Sequence, residues 1–286
     1  MKYEQCGESV ILNDIADFDV GLTLESGQCF RFKKINDNEY DIVVFGKVLN
    51  IRQGRDSVVF TPCTLNEFES IWLDYFDLRT DYGVIRSSMA ADDVLRAAVE
   101  FAPGIRILNQ DVWECLVSFI ISQRSNIPKI KTVVENVSRM FGEDIGGGYY
   151  SFPSPSRLAE ADVGALTECK AGYRTGYIID AARKVLSGEI DLSTVDAIET
   201  DELRRIFMTV KGVGPKVADC VLTYSCRRRE VFATDVWIGR IMRHFYFKNA
   251  EVPIKEIHEL AYKKFGEYAA FAQQYLFHYA KSSNIK

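Results

Sequence analysis

The hydrophobic period changes once along this chain, near residue 80, and that change restricts the fold more than any other feature. From Gly21 to about Phe60 the apolar runs are short: "QCFRFKKI", "YDIVVFGKVLNI" and "SVVF", broken by "NDNE" and "QGRD". Runs of that length between turn-forming clusters predict strands joined by hairpins, hence a small antiparallel sheet. From "LNEFESIWLDYF" onward, apolar residues recur at helical spacing almost to the end. Trp113, Leu116, Val117, Ile120 and Ile121 follow Asp111, a capping residue, and Ser154 with Pro155 opens another helix. The expectation is an α+β chain, with an N-terminal antiparallel β domain over residues 1–85 and a mostly helical portion over 86–286.

Composition narrows the setting. With 286 residues, 47% of them hydrophobic, the chain buries a sizeable core. A net charge of −5 argues against general polyanion binding but leaves room for a local basic face. "MKYEQCGESVILND" has no apolar signal core, and no stretch approaches a membrane span, so an intracellular protein without membrane contact is expected. The seven cysteines are scattered without CxxC spacing, which fits free thiols, and three histidines argue against a zinc site.

Residues 210–220 read "VKGVGPKVADC". Gly212 and Gly214 permit backbone conformations that other residues resist, so two helices can meet in a tight hairpin. Pro215 suits the first helical position. The free amides of such a turn form a cradle for a phosphate. Lys216 and Cys220 lie one turn apart, off the buried stripe of Val217, Ala218, Val221 and Leu222. Lys216 meets the positive end of the helix dipole, and an uncharged amine is a nucleophile that forms Schiff bases. Most lysines are solvated surface groups, and Lys216 alone does not decide between the two. Asp235, 19 positions on in "FATDVWIGRIMRHF", stands where it would cap the next helix, its carboxylate held ionised by backbone amides. A hairpin lysine followed at this distance by a capping aspartate is a far more specific pattern than either residue.

At these residues the chain resembles the helix-hairpin-helix DNA glycosylases, and within them the 8-oxoguanine branch. "SGQCFRF" (26–32), "QDVWECLVSFIISQRSNI" (110–127), "GYRTGY" (172–177), "GVGPKVADC" (212–220), "TDVW" (234–237) and "AQQYLF" (272–277) match that branch's segments in order. The resemblance implies a β domain like half a TATA-binding protein, a helical glycosylase core, and a monomer acting on double-stranded DNA that contains 8-oxoguanine. It implies that the damaged nucleotide is flipped into a pocket. There Lys216 attacks C1′ and Asp235 stabilises the cationic sugar. Cys220 and Phe277 sandwich the purine, Gln273 meets the base edge, and the Gly27 carbonyl accepts the N7 hydrogen that 8-oxoguanine has and guanine lacks.

The same resemblance assigns Tyr173 as a wedge, Arg174 as a partner of the orphaned cytosine, and Arg124 and Asn126 as fillers of the vacated space. Gly212 and Gly214 belong to the hairpin that meets the backbone, and Trp237 stands where relatives have a phosphate-contacting histidine. The eukaryotic pattern has an asparagine run at 124–126, so Arg124 is a departure that bears on the choice of opposite base. The carbonyls of Met208, Val210 and Val213 match those that hold a monovalent cation. No other cofactor is required, and no cysteine follows Cys226, so an iron–sulfur cluster of the endonuclease III kind is not expected. The basic run Arg227–Arg229 is either near DNA or a solvated loop. Two alternatives stay open: a monofunctional alkylated-base glycosylase of the same fold, which has no lysine at this position, and a non-enzymatic hairpin module that only grips DNA.

Overall fold

The computed structural model of the chain describes residues 1–14 and 17–282. Six strands form one sheet: β1 (Lys2–Cys6), β2 (Ser9–Asn13), β3 (Phe32–Asn36), β4 (Glu39–Val44), β5 (Lys47–Gln53) and β6 (Ser57–Thr61). Their order is β1-β2-β6-β5-β4-β3, and each neighbouring pair is antiparallel. Alternation puts Leu12, Ile42, Leu49, Ile51, Val58 and Phe60 among the buried residues. The helical segment 65–75, opened by a capping box of Thr64 and Glu67, packs on the sheet through Phe68, whose ring centroid lies 5.0 Å from that of Phe60.

Two parts of the N-terminal region depart from the expected run of strands. β1 and β2 precede Gly21 and were not legible, because β1 is an edge strand with almost every residue exposed and therefore shows no apolar alternation. Conversely, Val20–Leu24 is a short helix, capped by Asp19 at 2.7 Å from the Leu22 N–H, and no strand covers residues 25–31. That irregular stretch carries Gly27 towards the helical half.

Two hydrophobic cores result. One holds the sheet residues as far as Leu78 and takes in Leu108; the other begins at Tyr82 and takes in Phe30. The cores change over between Leu78 and Tyr82, whereas the expected boundary at 85–86 falls inside the helix Tyr82–Met89, which Asp81 caps. Gln28, fully buried, sutures the halves: its amide nitrogen donates to the Arg106 carbonyl at 2.8 Å, and its oxygen accepts from the Leu108 N–H at 2.8 Å.

The helices Val112–Ser122 and Pro215–Ser225 form the centre of the helical half. Both are buried on nearly every side rather than along one stripe. Arg204, on the first helix of the hairpin (Thr200–Met208), donates from Nε to Asp219 on the second at 2.6 Å and locks the two limbs together. The basic run after this helix is not solvated as a whole. Arg229 is buried over much of its length and donates to the Asn109 side chain at 2.6 Å; Arg228 donates to the Ile198 carbonyl at 2.6 Å; Arg227 pairs with Asp74. Of the three, Arg228 satisfies a loop carbonyl, whereas Arg227 and Arg229 reach side chains of the N-terminal half and its connection.

Candidate active site

Stretches far apart in sequence meet around one cavity of about 410 Å³. It lies among the loop at Ser26–Gly27, the end of the helix Val112–Ser122, the start of the helix Ile127–Phe141, the second hairpin helix, the start of the helix Val236–Tyr246, and the helix Ala269–Ser282. Lys216, Asp235, Gly27, Cys220, Gln273, Phe277 and Asn126 all line it.

The hairpin that presents Lys216 is braced from behind. Gly212 has φ +76°, and a Cβ there would lie 2.3 Å from the Tyr177 ring, so only glycine fits. The Val213 N–H donates to the Val210 carbonyl at 3.0 Å, and the Lys211 N–H donates to the Asp180 carboxylate at 2.9 Å. Gly214 differs from the expectation: its φ of −101° is ordinary, and the space where a Cβ would stand is open. What Gly214 contributes is bare backbone at a helix N-terminus, accessible to an anion. Pro215 occupies the first turn as expected. Lys211, the other lysine of the hairpin, reaches Asp180 at 3.6 Å and does not line the cavity.

Lys216 places its amine 5.3 Å from the centroid of Phe119, whose ring is stacked on Tyr224 at 5.5 Å and 15°. Lys216, Cys220 and Tyr224 follow one another at four-residue steps on a single helix face. Burial pushes the Cys220 thiol up to about 11, against the pull of the neighbouring Lys216 ammonium, so near neutral pH it offers an uncharged, polarisable sulfur. Asp235 is the N-cap of its helix, accepting the Ile238 N–H at 2.7 Å, and it lines the cavity. Trp237, two positions on, is half-buried and lies outside the cavity lining.

The far wall comes from the last helix and the N-terminal loop. Gly27 has φ +85°, and a Cβ there would sit 3.4 Å from the Phe277 ring, so the backbone itself lines this side. Gln273 is buried; its Nε2 lies 3.5 Å from the Tyr224 hydroxyl, and its Oε1 has no hydrogen-bond partner. Tyr224, Phe119, Ser26 and Gln274 were not singled out from the sequence. The four-residue step from Cys220 to Tyr224 was the available signal for the first of these.

Beside the cavity, the helix Val112–Ser122 ends at Gln123, and Arg124 turns the chain with φ +49°. Asn126 caps the following helix, accepting the Lys129 N–H at 3.1 Å. The Gln123 carbonyl accepts from the Tyr173 hydroxyl at 3.2 Å and from Arg174 Nε at 3.0 Å. Tyr173 and Arg174 therefore stand together at this helix end, with the exposed Tyr173 ring 4.6 Å from the guanidinium. Arg124 is exposed and lies outside the cavity lining, while its neighbour Ser125 lines it.

Among the described residues no group of three or more His, Cys, Asp or Glu is placed to hold a metal, and no helix is long and apolar enough to cross a membrane. Residues 10–116 match the family model for the 8-oxoguanine DNA glycosylase N-terminal domain, and residues 117–266, more than half of the chain, match that of the HhH-GPD superfamily base excision DNA repair proteins. A probable N-glycosylase/DNA lyase of Methanothermobacter thermautotrophicus is 28% identical over 95% of this chain and 96% of its own. The structure of MBOgg1 with a low-affinity DNA ligand superimposes with a TM-score of 0.95 at 48% identity, covering 99% of both chains. The Clostridium acetobutylicum 8-oxoguanine glycosylase/lyase, bound to duplex DNA with cytosine opposite 8-oxoguanine, gives 0.93 at 35% identity over 100% of this chain and 99% of that one.

Proposed function

The chain belongs to the HhH-GPD superfamily of base excision DNA repair proteins, and we propose that Lys216 is the nucleophile with which it excises 8-oxoguanine from duplex DNA. It is a bifunctional DNA N-glycosylase with lyase activity, removing the damaged base and cleaving the abasic site left behind. One observation carries the assignment of roles: a primary amine and a capped carboxylate face the same aromatic-walled cavity, which is large enough for a flipped purine.

The Lys216 amine, in its uncharged form, attacks C1′, and the glycosidic bond breaks with its electron pair leaving on the base. Opening of the sugar ring and loss of a proton from nitrogen give the imine. The imine makes a C2′ proton acidic; its removal expels the 3′ phosphate by β-elimination, and water then releases the lysine. Asp235 supplies fixed negative charge next to the sugar as positive charge develops on it. Its backbone cap suits it to that task better than to proton abstraction. Cys220 and Phe277 bracket the base, and the Gly27 carbonyl meets the N7 hydrogen. Tyr173, Arg174 and the 124–126 turn occupy the gap in the duplex. The open backbone at Gly214 takes a phosphate, and Trp237 adds to that grip from the next helix.

A monovalent cation on the carbonyls of Met208, Val210 and Val213 would put positive charge behind that phosphate. The tight turn closed by Val213 and Val210 follows directly on the helix that ends at Met208, so these carbonyls lie close along the chain, and no chemical step runs through the ion. A chromosomal duplex as substrate places the work in the nucleoid, or in a nucleus.

Borohydride trapping tests the nucleophile. Wild-type protein incubated with a duplex carrying one 8-oxoguanine gives a covalent adduct, and Lys216→Gln gives none while still binding the duplex. An adduct formed by the variant moves the nucleophile elsewhere. A wild-type protein that excises without trapping belongs with the monofunctional enzymes, and one that binds without turnover is a hairpin module.

A further inference from the structure

Gln273 can turn either end of its amide towards a base, and the two choices recognise opposite partners. The oxygen accepts from the N1–H and exocyclic amine of a guanine-type edge, while the nitrogen donates to the N1 lone pair of an adenine-type edge. The hydrogen-bond network around the amide decides which end faces the base.

Here the network starts from an atom with no ambiguity. The Ser26 backbone carbonyl can only accept, so Gln274 must face it with Nε2, 3.3 Å away. The Gln274 oxygen then faces the Tyr224 hydroxyl at 3.0 Å, and the single phenolic proton goes to it. Tyr224 has only lone pairs left for Gln273, whose Nε2 lies 3.5 Å from the phenolic oxygen. Gln273 Oε1 remains, buried and without a partner, on a residue that lines the cavity. Burial also holds the Tyr224 phenol well above its usual value, which keeps the proton on its hydroxyl.

We propose that Tyr224 and Gln274 are positioning residues that hold Gln273 as a hydrogen-bond acceptor, and that this relay selects a guanine-type edge over an adenine-type one. The proposal deepens the reading of this cavity as the 8-oxoguanine site and rests on it. The relay acts through Gln273 alone; neither Tyr224 nor Gln274 need touch the base. Because Ser26 precedes Gly27, the same relay ties the position of the N7-reading carbonyl to the orientation of the amide that reads the other edge.

The test compares single-turnover excision of 8-oxoguanine and 8-oxoadenine from otherwise identical duplexes. Tyr224→Phe keeps the ring stacked on Phe119 and removes the hydroxyl, freeing the Gln273 amide to turn. The preference for 8-oxoguanine should fall about tenfold, the worth of one ordered hydrogen bond. Gln274→Met removes the acceptor, so the Tyr224 proton passes to Gln273 Oε1 and the amide reverses; the preference should fall further than in Tyr224→Phe. In a Gln273→Ala background, Tyr224→Phe should change the ratio by less than about twofold, because coupling vanishes with the residue that carries it. A wild-type ratio in Tyr224→Phe overturns the proposal, and so does an equal fall in the Gln273→Ala background, which would make the hydroxyl a packing element. If Gln274→Met does not fold, the Tyr224→Phe arms still decide. Failure of the wild-type protein to excise 8-oxoguanine would refute the functional reading itself, a different result from excision with unmoved selectivity.

Discussion

Gly212 and Gly214 look interchangeable in the sequence, and alanine substitutions should separate them completely. In Gly212→Ala the new Cβ meets Cδ2 and Cε2 of Tyr177 at 2.3 Å. Carbon atoms rest about 3.5 Å apart, so the ring must retreat by about 1.2 Å. Overpacking of this kind costs about 1–3 kcal/mol. Holding alanine at φ +76° adds about 1–2 kcal/mol. Alanine also restricts the unfolded chain, which offsets about 0.4–1 kcal/mol. The net loss is about 1–4.5 kcal/mol, read as a Tm lower by about 2–4 °C for each kcal/mol. The displaced Tyr177 ring also presses on Tyr173, which meets it edge-on at 6.0 Å, so excision should suffer beyond what the stability loss explains. Gly214→Ala meets nothing within 4 Å and needs no unusual backbone, so its Tm should move only by the small preference of an N-cap for glycine over alanine, about 0.5–1 kcal/mol. Its methyl group instead stands before the amides proposed to take the phosphate, and affinity for undamaged duplex should fall. Thermal unfolding and duplex titration on both variants decide the matter. A Gly212→Ala protein melting within about 1 °C of wild type would refute the steric argument, and undiminished duplex affinity in Gly214→Ala would refute the phosphate assignment.

Asp235→Asn retains the cap and removes the charge, so Tm should hold while single-turnover excision loses roughly 2–4 kcal/mol of transition-state stabilisation; a normal rate would reduce Asp235 to a helix cap. Excision opposite cytosine should exceed that opposite adenine, guanine or thymine by a smaller margin than in relatives with asparagine at this turn, because the exposed, flexible Arg124 fits beside several bases. Rates on four duplexes test this, and strict cytosine dependence that survives Arg124→Ala would assign the selectivity to Arg174 and its surroundings.

The hairpin, the capping aspartate and the helix ends were legible because each is written in contiguous residues with its own chemistry. Pro215, Asp111, Ser154 and Asp235 signal through one local hydrogen bond or one fixed dihedral, and all four sit as expected. β1 was not legible, since an exposed edge strand has no apolar period to display. Arg229 was misread for a different reason. Three consecutive arginines look like a charged surface until the fold brings Asn109, about 120 positions away, within 2.6 Å of one of them. Tyr224 was missed because an aromatic residue inside a buried helix looks like ordinary core, and only the converging Gln273 and Gln274 give its hydroxyl a purpose.

Gly27 and Phe277 pack together on one wall of the cavity, yet 250 residues of chain separate them. Synthesis proceeds from the N-terminus, so the two meet late in the life of the growing polypeptide. The strands of the sheet and the hairpin with its amine both precede that point in the chain. A nascent chain that has reached the helix Val236–Tyr246 already holds Lys216 and Asp235, but Gln273 and Phe277 on the opposite side of the cavity are still to come. Discrimination arrives with the final helix. On the proposed roles, the order of manufacture delivers the group that attacks a sugar before the helix that reads a base, so docking of residues 269–282 completes the selective site.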